Sequence, residues 1–349
     1  MSVNLTPPPE RDFPAPRLEQ RREQLVSRIE AEGPRAPRPL YRRRWAVAAI
    51  ALAVAGTAAA LALTLLSPGQ EGLSSAGQYI RRLPRVSTSV QGGHRLASMV
   101  LLRTARTAAG RKTTAPGPGD FIYTKSESVW ETIVGGRDGP AAIAFQSHAM
   151  ETWNRPDGSG HYTDSEGHMV FPTEADAAYF YANDPLRLID AHDGVQYYPA
   201  GPPNYDDVSQ LPTDPAQLKQ VLDSRTIEGG PPGDFETFQI IGDLLRGTDA
   251  PPDVRSALYT VASQLPGVVL LGTTQDQLGR PGIGVAYDSG GTRYELIFDP
   301  QTSGLLAEQT IVLDTSKYEP FSPGTLTGWT AYIATGIVGS DSATTSATP

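Results

Sequence analysis

With 349 residues, 38 acidic against 29 basic side chains and a net charge of −9, the chain has room for one moderate domain and some accessory segments, and it lacks the basic footprint that phosphate-backbone binding requires. No direct nucleic-acid partner is expected. The absence of cysteine removes disulfides, thiolate metal sites, thiol nucleophiles and Cys-linked acylation together, so stability must come from an apolar core.

Charge is divided unevenly along the chain. Residues 1–44 hold ten arginines against six acids, and the remainder holds 19 bases against 32 acids. Residues 1–16 are rich in proline and charge and read as disordered. Over 17–32, Leu18, Leu25, Val26 and Ile29 fall on one side of a short amphipathic helix, either a docking element for a cytoplasmic partner or a helix resting on the inner leaflet. Pro34, Pro37 and Pro39 end it.

Trp45–Leu66 then runs without a charge or a proline, and at about 22 residues of ~1.5 Å rise it can cross a hydrocarbon core of roughly 30 Å. Arg42, Arg43 and Arg44 precede it directly, whereas the first ionisable group behind it is Glu71. The positive-inside rule therefore places the N-terminus in the cytoplasm and the large C-terminal part outside, a single-pass protein of the cell membrane with the lipid bilayer as its first partner. A cleaved signal peptide fits less well, because the charged leader is too long and the apolar block exceeds the usual h-region. Gly56-x-x-x-Ala60 offers a small-residue pattern for helix pairing.

The expected organisation is a cytoplasmic tail at 1–44, a transmembrane helix at 45–66, a linker and basic helical segment at 67–119, an extracytoplasmic α+β domain at 120–339 and a disordered tail at 340–349. The basic segment carries Arg81, Arg82, Arg85, Arg95, Arg103, Arg106, Arg111 and Lys112. Within it a helix containing Leu96, Met99, Val100 and Arg103 ends at Gly110. It either meets anionic headgroups or packs its Leu/Met/Val side on a sheet, the second reading being preferred.

Beyond the Pro/Gly cluster at 115–119 the texture turns to β. Residues 121–133 and 141–155 alternate apolar and polar side chains, and Pro156-Asp157-Gly158 turns the chain into a further strand. Residues 172–210 read as an irregular excursion over the sheet. Three capped helices follow, the first opened by Thr213 or Asp214 with Pro215, the second with Phe235, Phe238, Ile241, Leu244 and Leu245 on one side, the third started by Pro251 and Pro252. Strands at 268–276, 281–288, 291–299 and 303–313, and a last one in 328–338, complete the pattern. The fold class is α+β, a curved antiparallel sheet of half-barrel type with helices on one face, behind one transmembrane helix.

Motifs for chemistry are sparse. Asp288-Ser289-Gly290-Gly291 is similar to part of a serine-protease signature, yet Tyr287 replaces the leading glycine and the stretch fits a two-residue hairpin. Gly158-Ser159-Gly160-His161 has no following helix and is no nucleophile elbow. The histidines are His94, His148, His161, His168 and His192. Of these, His161 and His168 with Glu166 form a conceivable zinc set whose spacing is unspecific, and an exposed polar loop is the preferred reading. Acidic residues form no locally fixed pair, and no phosphate-binding glycine loop occurs. No catalytic, cofactor-binding or metal residues are therefore assigned, no cofactor is expected, and the chain reads as a non-enzyme. A gap between helices and sheet, lined by aromatics of the 172–210 excursion, is a conceivable lipid site, although a packed core is preferred.

The run FETFQIIGDLLRGTDAPPDVRSALYTVASQLPGV at 235–268, with GRPGIGVAY and RYELIFDPQTSGLLAEQT behind it, resembles a family of uncharacterised single-pass actinobacterial membrane proteins. The resemblance is specific over 235–313; FIYTKSES and LPTDPAQL also fit. Members of that family often accompany extracytoplasmic-function sigma factors, and it brings no catalytic residues. What the resemblance implies is an accessory or anti-sigma-like sensor linked to a sigma factor or another cytoplasmic regulator. The tail of 44 residues without a His/Cys cluster makes an accessory role a better expectation than sequestration. The alternative is an extracytoplasmic module for a lipid or lipoprotein ligand with no signalling role.

Overall fold

The computed structural model describes residues 83–112, 115–135, 141–167, 169–183, 193–199, 208–225, 233–246, 250–316 and 321–349. The transmembrane stretch Trp45–Leu66, the amphipathic helix at 17–32, His168 and His192 lie outside these residues. Among the described residues no helix is long and apolar enough to cross a membrane.

One antiparallel sheet takes in every strand among the described residues. β1 (Phe121–Gly135), β2 (Ala141–Asn154), β3 (Gly160–Glu166) and β4 (Asp193–Tyr198) run outward to one edge. β5 (Val268–Gln275), β6 (Pro281–Ser289), β7 (Thr292–Phe298), β8 (Leu305–Val312) and β9 (Leu326–Val338) return from the other edge. The spatial order is β4-β3-β2-β1-β9-β8-β7-β6-β5. Two meanders thus meet where β9 pairs with β1, and the expected curved α+β sheet is what forms. The β6–β7 connection is the glycine pair Gly290 and Gly291, with φ of 62° and 93°, the two positive values a type I′ turn demands. Asp288 in that hairpin is held by Arg293 at 2.7 and 2.8 Å, which leaves the protease-like string a structural turn.

The helices are α1 (His94–Ala109), α2 (Glu174–Asn183), α3 (Pro215–Asp223), α4 (Gly233–Leu245) and α5 (Pro252–Gln264). Asp214 caps α3 by accepting from the Gln217 N–H at 2.9 Å. Between the helices and the sheet, Phe238, Ile241, Leu258, Tyr259, Leu296, Phe298 and Tyr332 form one buried cluster. Each such side chain contributes roughly 1.5–3 kcal/mol on burial. This cluster fills the centre of the interlayer space.

The other face of the central strands is also covered. Ile297, Leu306, Ala307, Ile311, Leu326 and Trp329 pack beneath Phe321, with Leu83, Val86 and Leu278 against them, so β7 to β9 are buried on both faces. Bulges bend the sheet: the register shifts at Ile297/Phe298 against β8 and at Lys125/Ser126 against β9. A bulge takes backbone groups out of the ladder. Arg280, on the β5–β6 turn, supplies donors there, from Nη1 to the Tyr332 carbonyl at 2.6 Å and from Nη2 to the Leu306 carbonyl at 2.9 Å. The edge hairpin therefore curls over the face opposite the helices.

Three expectations change. Helix α1, placed by sequence in a segment ahead of the domain, is part of the body: Ala97, Leu101, Ala105 and Ala108 join the main core with α5 and β5 residues. It packs on its alanine side, and Leu96 and Met99 are 45% and 60% exposed, because small side chains let two helices approach closely. The supposedly irregular excursion holds α2 and β4. Thr173 caps α2, its Oγ1 accepting from the Asp176 N–H at 3.1 Å, while Asp176 Oδ1 accepts from the Ile143 N–H at 2.9 Å and pins the helix to β2. The segment 340–349 has no helix or strand yet is held in place: Trp153 donates to the Ala343 carbonyl at 2.7 Å and the Thr335 N–H to the Ala347 carbonyl at 2.9 Å.

Candidate functional site

Strand geometry decides the fate of the conceived zinc set. His161 and Glu166 lie on one strand five positions apart, so their side chains leave opposite faces and their backbones are separated by roughly 17 Å at ~3.4 Å per residue. His161 is instead sandwiched between Trp153 (centroids 4.8 Å) and Tyr197 (5.1 Å), and Tyr123 continues the ladder to Trp153 at 5.2 Å. This cross-strand row stabilises the sheet in the way such pairs do. What the β2–β3 pairing brings together is a different set: His148 opposite Glu166, with Asp164 one pleat away on the same face. Single ligand atoms of these three lie within 4.8 Å of one another. The signal for it was present in the sequence, since counting outward from the Pro156-Asp157-Gly158 turn pairs 154 with 160 and hence 148 with 166.

On the helix face, Glu308 is wholly buried and accepts from Arg246 Nε at 2.5 Å and Nη2 at 2.8 Å, and from the hydroxyls of Tyr294 and Tyr332. Burial alone raises its carboxyl, but the Arg246 guanidinium and the donated hydrogen bonds outweigh that and hold it below the usual range. The two tyrosines are pushed well up, by burial first and by the Glu308 charge second. Asp243 adds a second carboxylate to Arg246 at 2.8 Å. The network locks Arg246, at the end of α4, in one orientation.

That orientation matters because Arg246 lines a cavity of about 310 Å³, at the seam of α1, α5 and β9. Arg111 just beyond α1 and Arg255 on α5 line it too, with Thr335 of β9 and the segment 347–349. Arg111 Nη1 donates to the Thr302 carbonyl at 2.8 Å, which fixes its reach. The buried Thr335 hydroxyl has no hydrogen-bond partner. No acidic side chain is among the lining residues, although Pro349, which ends the chain, lines the cavity as well. Three arginines thus line a concave space of this size, one of them with its charge already shared with Glu308 and Asp243. Sequence reasoning missed this site, since residues 111, 246, 255 and 335 are distant in the chain and lie in unrelated motifs.

No protein-family model matches the chain, and no curated protein does. Solved structures that align with it include the Pseudomonas aeruginosa MucA/MucB complex, at 14% identity over 69% of this chain with a TM-score of 0.25. Another is MucB in complex with MucA(peri), at 15% identity over 70% of this chain with a TM-score of 0.24. The chain spans 56% of the length of each of those structures. At such TM-scores the likeness carries no argument about partner or chemistry.

Proposed function

We propose that the protein is a non-enzymatic envelope protein whose α+β domain binds an anionic group outside the membrane, in an accessory or anti-sigma-like role within a sigma-factor pathway. The observation that carries the binding reading is the cavity lined by Arg111, Arg246 and Arg255. The Arg246 fork is taken by Glu308, so Arg111 and Arg255 are the residues that would meet an anion, and an acidic peptide segment of a partner is the occupant that fits an envelope sensor best. The resemblance of 235–313 to sigma-linked membrane proteins supports the pathway, and Arg42 to Arg44 beside Trp45–Leu66 support the orientation. The lipid-ligand alternative is not adopted, because the cavity between helices and sheet is lined by three arginines, whose charge favours an anionic group over an acyl chain.

Two variants of the full chain separate the parts of this reading. Arg111→Glu combined with Arg255→Glu reverses the cavity charge at residues outside the Glu308 network. It is expected to change transcription from the linked sigma factor's promoters by about tenfold or more, with an unchanged far-UV circular dichroism spectrum. Deleting residues 1–35 is expected to abolish the same transcriptional response while leaving the outer domain folded. An unaltered response in the charge-reversed protein refutes the cavity's role; an unaltered response in the deletion refutes relay through the tail.

A further inference from the structure

We propose that His148, Asp164 and Glu166 bind a divalent transition-metal ion, with Zn2+ the ion their donor set favours. The proposal is independent of the arginine-lined cavity and of the sigma-linked reading. It starts from the pairing register, which sets His148 of β2 directly across from Glu166 of β3 and puts Asp164 on the same face. His148 and Asp164 are buried, with side chains 9% and 10% exposed. Neither His148 Nδ1 nor Asp164 Oδ1 has a hydrogen-bond partner. Polar atoms so removed from water are costly unless something satisfies them.

The distances say what that something is. His148 Nδ1 and Asp164 Oδ2 stand 3.5 Å apart, too long for a good hydrogen bond between them. Two donors bound tetrahedrally to one zinc ion at ~2.0–2.1 Å sit roughly 3.4 Å from each other. The three ligand atoms all lie within 4.8 Å of one another, so side-chain rotation has to close the widest pair by up to ~1.4 Å for all three to reach one ion.

Glu166 is already steadied from outside the set. Gln146 Nε2 donates to its Oε2 at 3.2 Å and to the Gly167 carbonyl at 3.1 Å. Gly167 in turn holds the end of β3 to β2, its N–H donating to the Ser147 carbonyl at 2.8 Å. A Cβ at 167 would lie 2.1 Å from Ser147 Oγ, so a larger residue there has to displace that hydroxyl. Such outer contacts aim metal-binding carboxylates.

Among the described residues, no lysine or arginine forms an ion pair with any of the three. Two carboxylates beside one imidazole thus lack a countercharge that a dication supplies. A nitrogen donor among oxygens favours zinc or manganese over calcium, which takes six or more oxygens. Three protein ligands leave a fourth position for water.

The test uses the full chain in detergent micelles, stripped with chelator and titrated with Zn2+, with metal content measured after gel filtration and thermal unfolding followed in parallel. One equivalent of zinc per chain is expected, with a raised Tm, and Ca2+ at the same concentration is expected neither to bind nor to shift it. His148→Ala, Asp164→Asn and Glu166→Gln should each weaken zinc binding about a hundredfold, and Gln146→Leu about tenfold. His161→Phe should leave it unchanged. If His148→Ala fails to fold, the two isosteric variants decide. Uptake well below one equivalent, uptake indifferent to Asp164→Asn and Glu166→Gln, or uptake lost in His161→Phe overturns the proposal.

Discussion

Glu308 and Glu295 are both buried in the sheet, at 0% and 2% exposure, and they titrate in opposite directions. Arg246 and two tyrosine hydroxyls reach Glu308, so its carboxyl is lowered despite the burial that works against it. Its contribution to stability is present above the ordinary carboxylate range and is lost as pH falls through its folded value. Glu295 projects from the other face, where Gln309 Nε2 donates to it at 2.7 Å, and burial outweighs that bond and nearby Arg293. Its pKa rises from 4.5 to about 7. Between those values the unfolded chain has released a proton that the folded one keeps, so Glu295 subtracts stability as pH rises through the window, on the order of 3 kcal/mol in all. Glu295→Gln retains an acceptor for Gln309 and removes the charge. Its Tm is expected to exceed that of the parent at pH 8 and to match it near pH 4.5, read by differential scanning calorimetry; an equal loss at both pH values would refute the assignment.

Elements were legible where their signals are local. The turn at Gly290-Gly291, the Asp214 cap and the proline starts of α3 and α5 are written in a few adjacent residues, and the structure places all of them as expected. Gly291 at φ 93° is the position where a Cβ is most strained, so Gly291→Ala should cost about 1–2 kcal/mol in urea unfolding with no change in m-value. A neutral result would show the turn to be of another type. Helix α2 was missed although Thr173 and Asp176 spell a cap, because proline and aspartate around it suggested irregular chain. Strand β4 was missed for a stronger reason. It is a short edge strand, and Val195 and Tyr197 remain 53% and 77% exposed, so no buried face stamps an alternation on its sequence. For α1 the helix was legible and its buried side was not, since alanine carries little hydropathy weight yet permits the closest packing.

The molecule as a whole is held by its most distant pairing. β1 lies against β9, with Val129 across from Trp329 and the Trp130 indole donating to the Thr330 hydroxyl at 3.0 Å. Ending the chain before residue 326 removes β9 and leaves β1 and β8 as bare inner edges, with Glu308 deprived of Tyr332. That truncation is expected to abolish cooperative thermal unfolding and to aggregate, which circular dichroism and light scattering would reveal; a soluble, cooperatively melting product would show instead that each meander folds alone. Sequence by itself determined the α+β class, the turn chemistry, the helix caps and the acidic character of the chain beyond residue 44. These depend on neighbours a few positions apart, whose backbone preferences and side-chain periodicity act before any tertiary contact exists. Only the tertiary structure decided that His148 rather than His161 stands beside Glu166, that a guanidinium quenches one buried carboxyl and not another, and that Arg111, Arg246 and Arg255 surround one cavity. Such proximities follow from strand register and layer packing, which join residues from separate segments and leave no trace in the local pattern of any one of them.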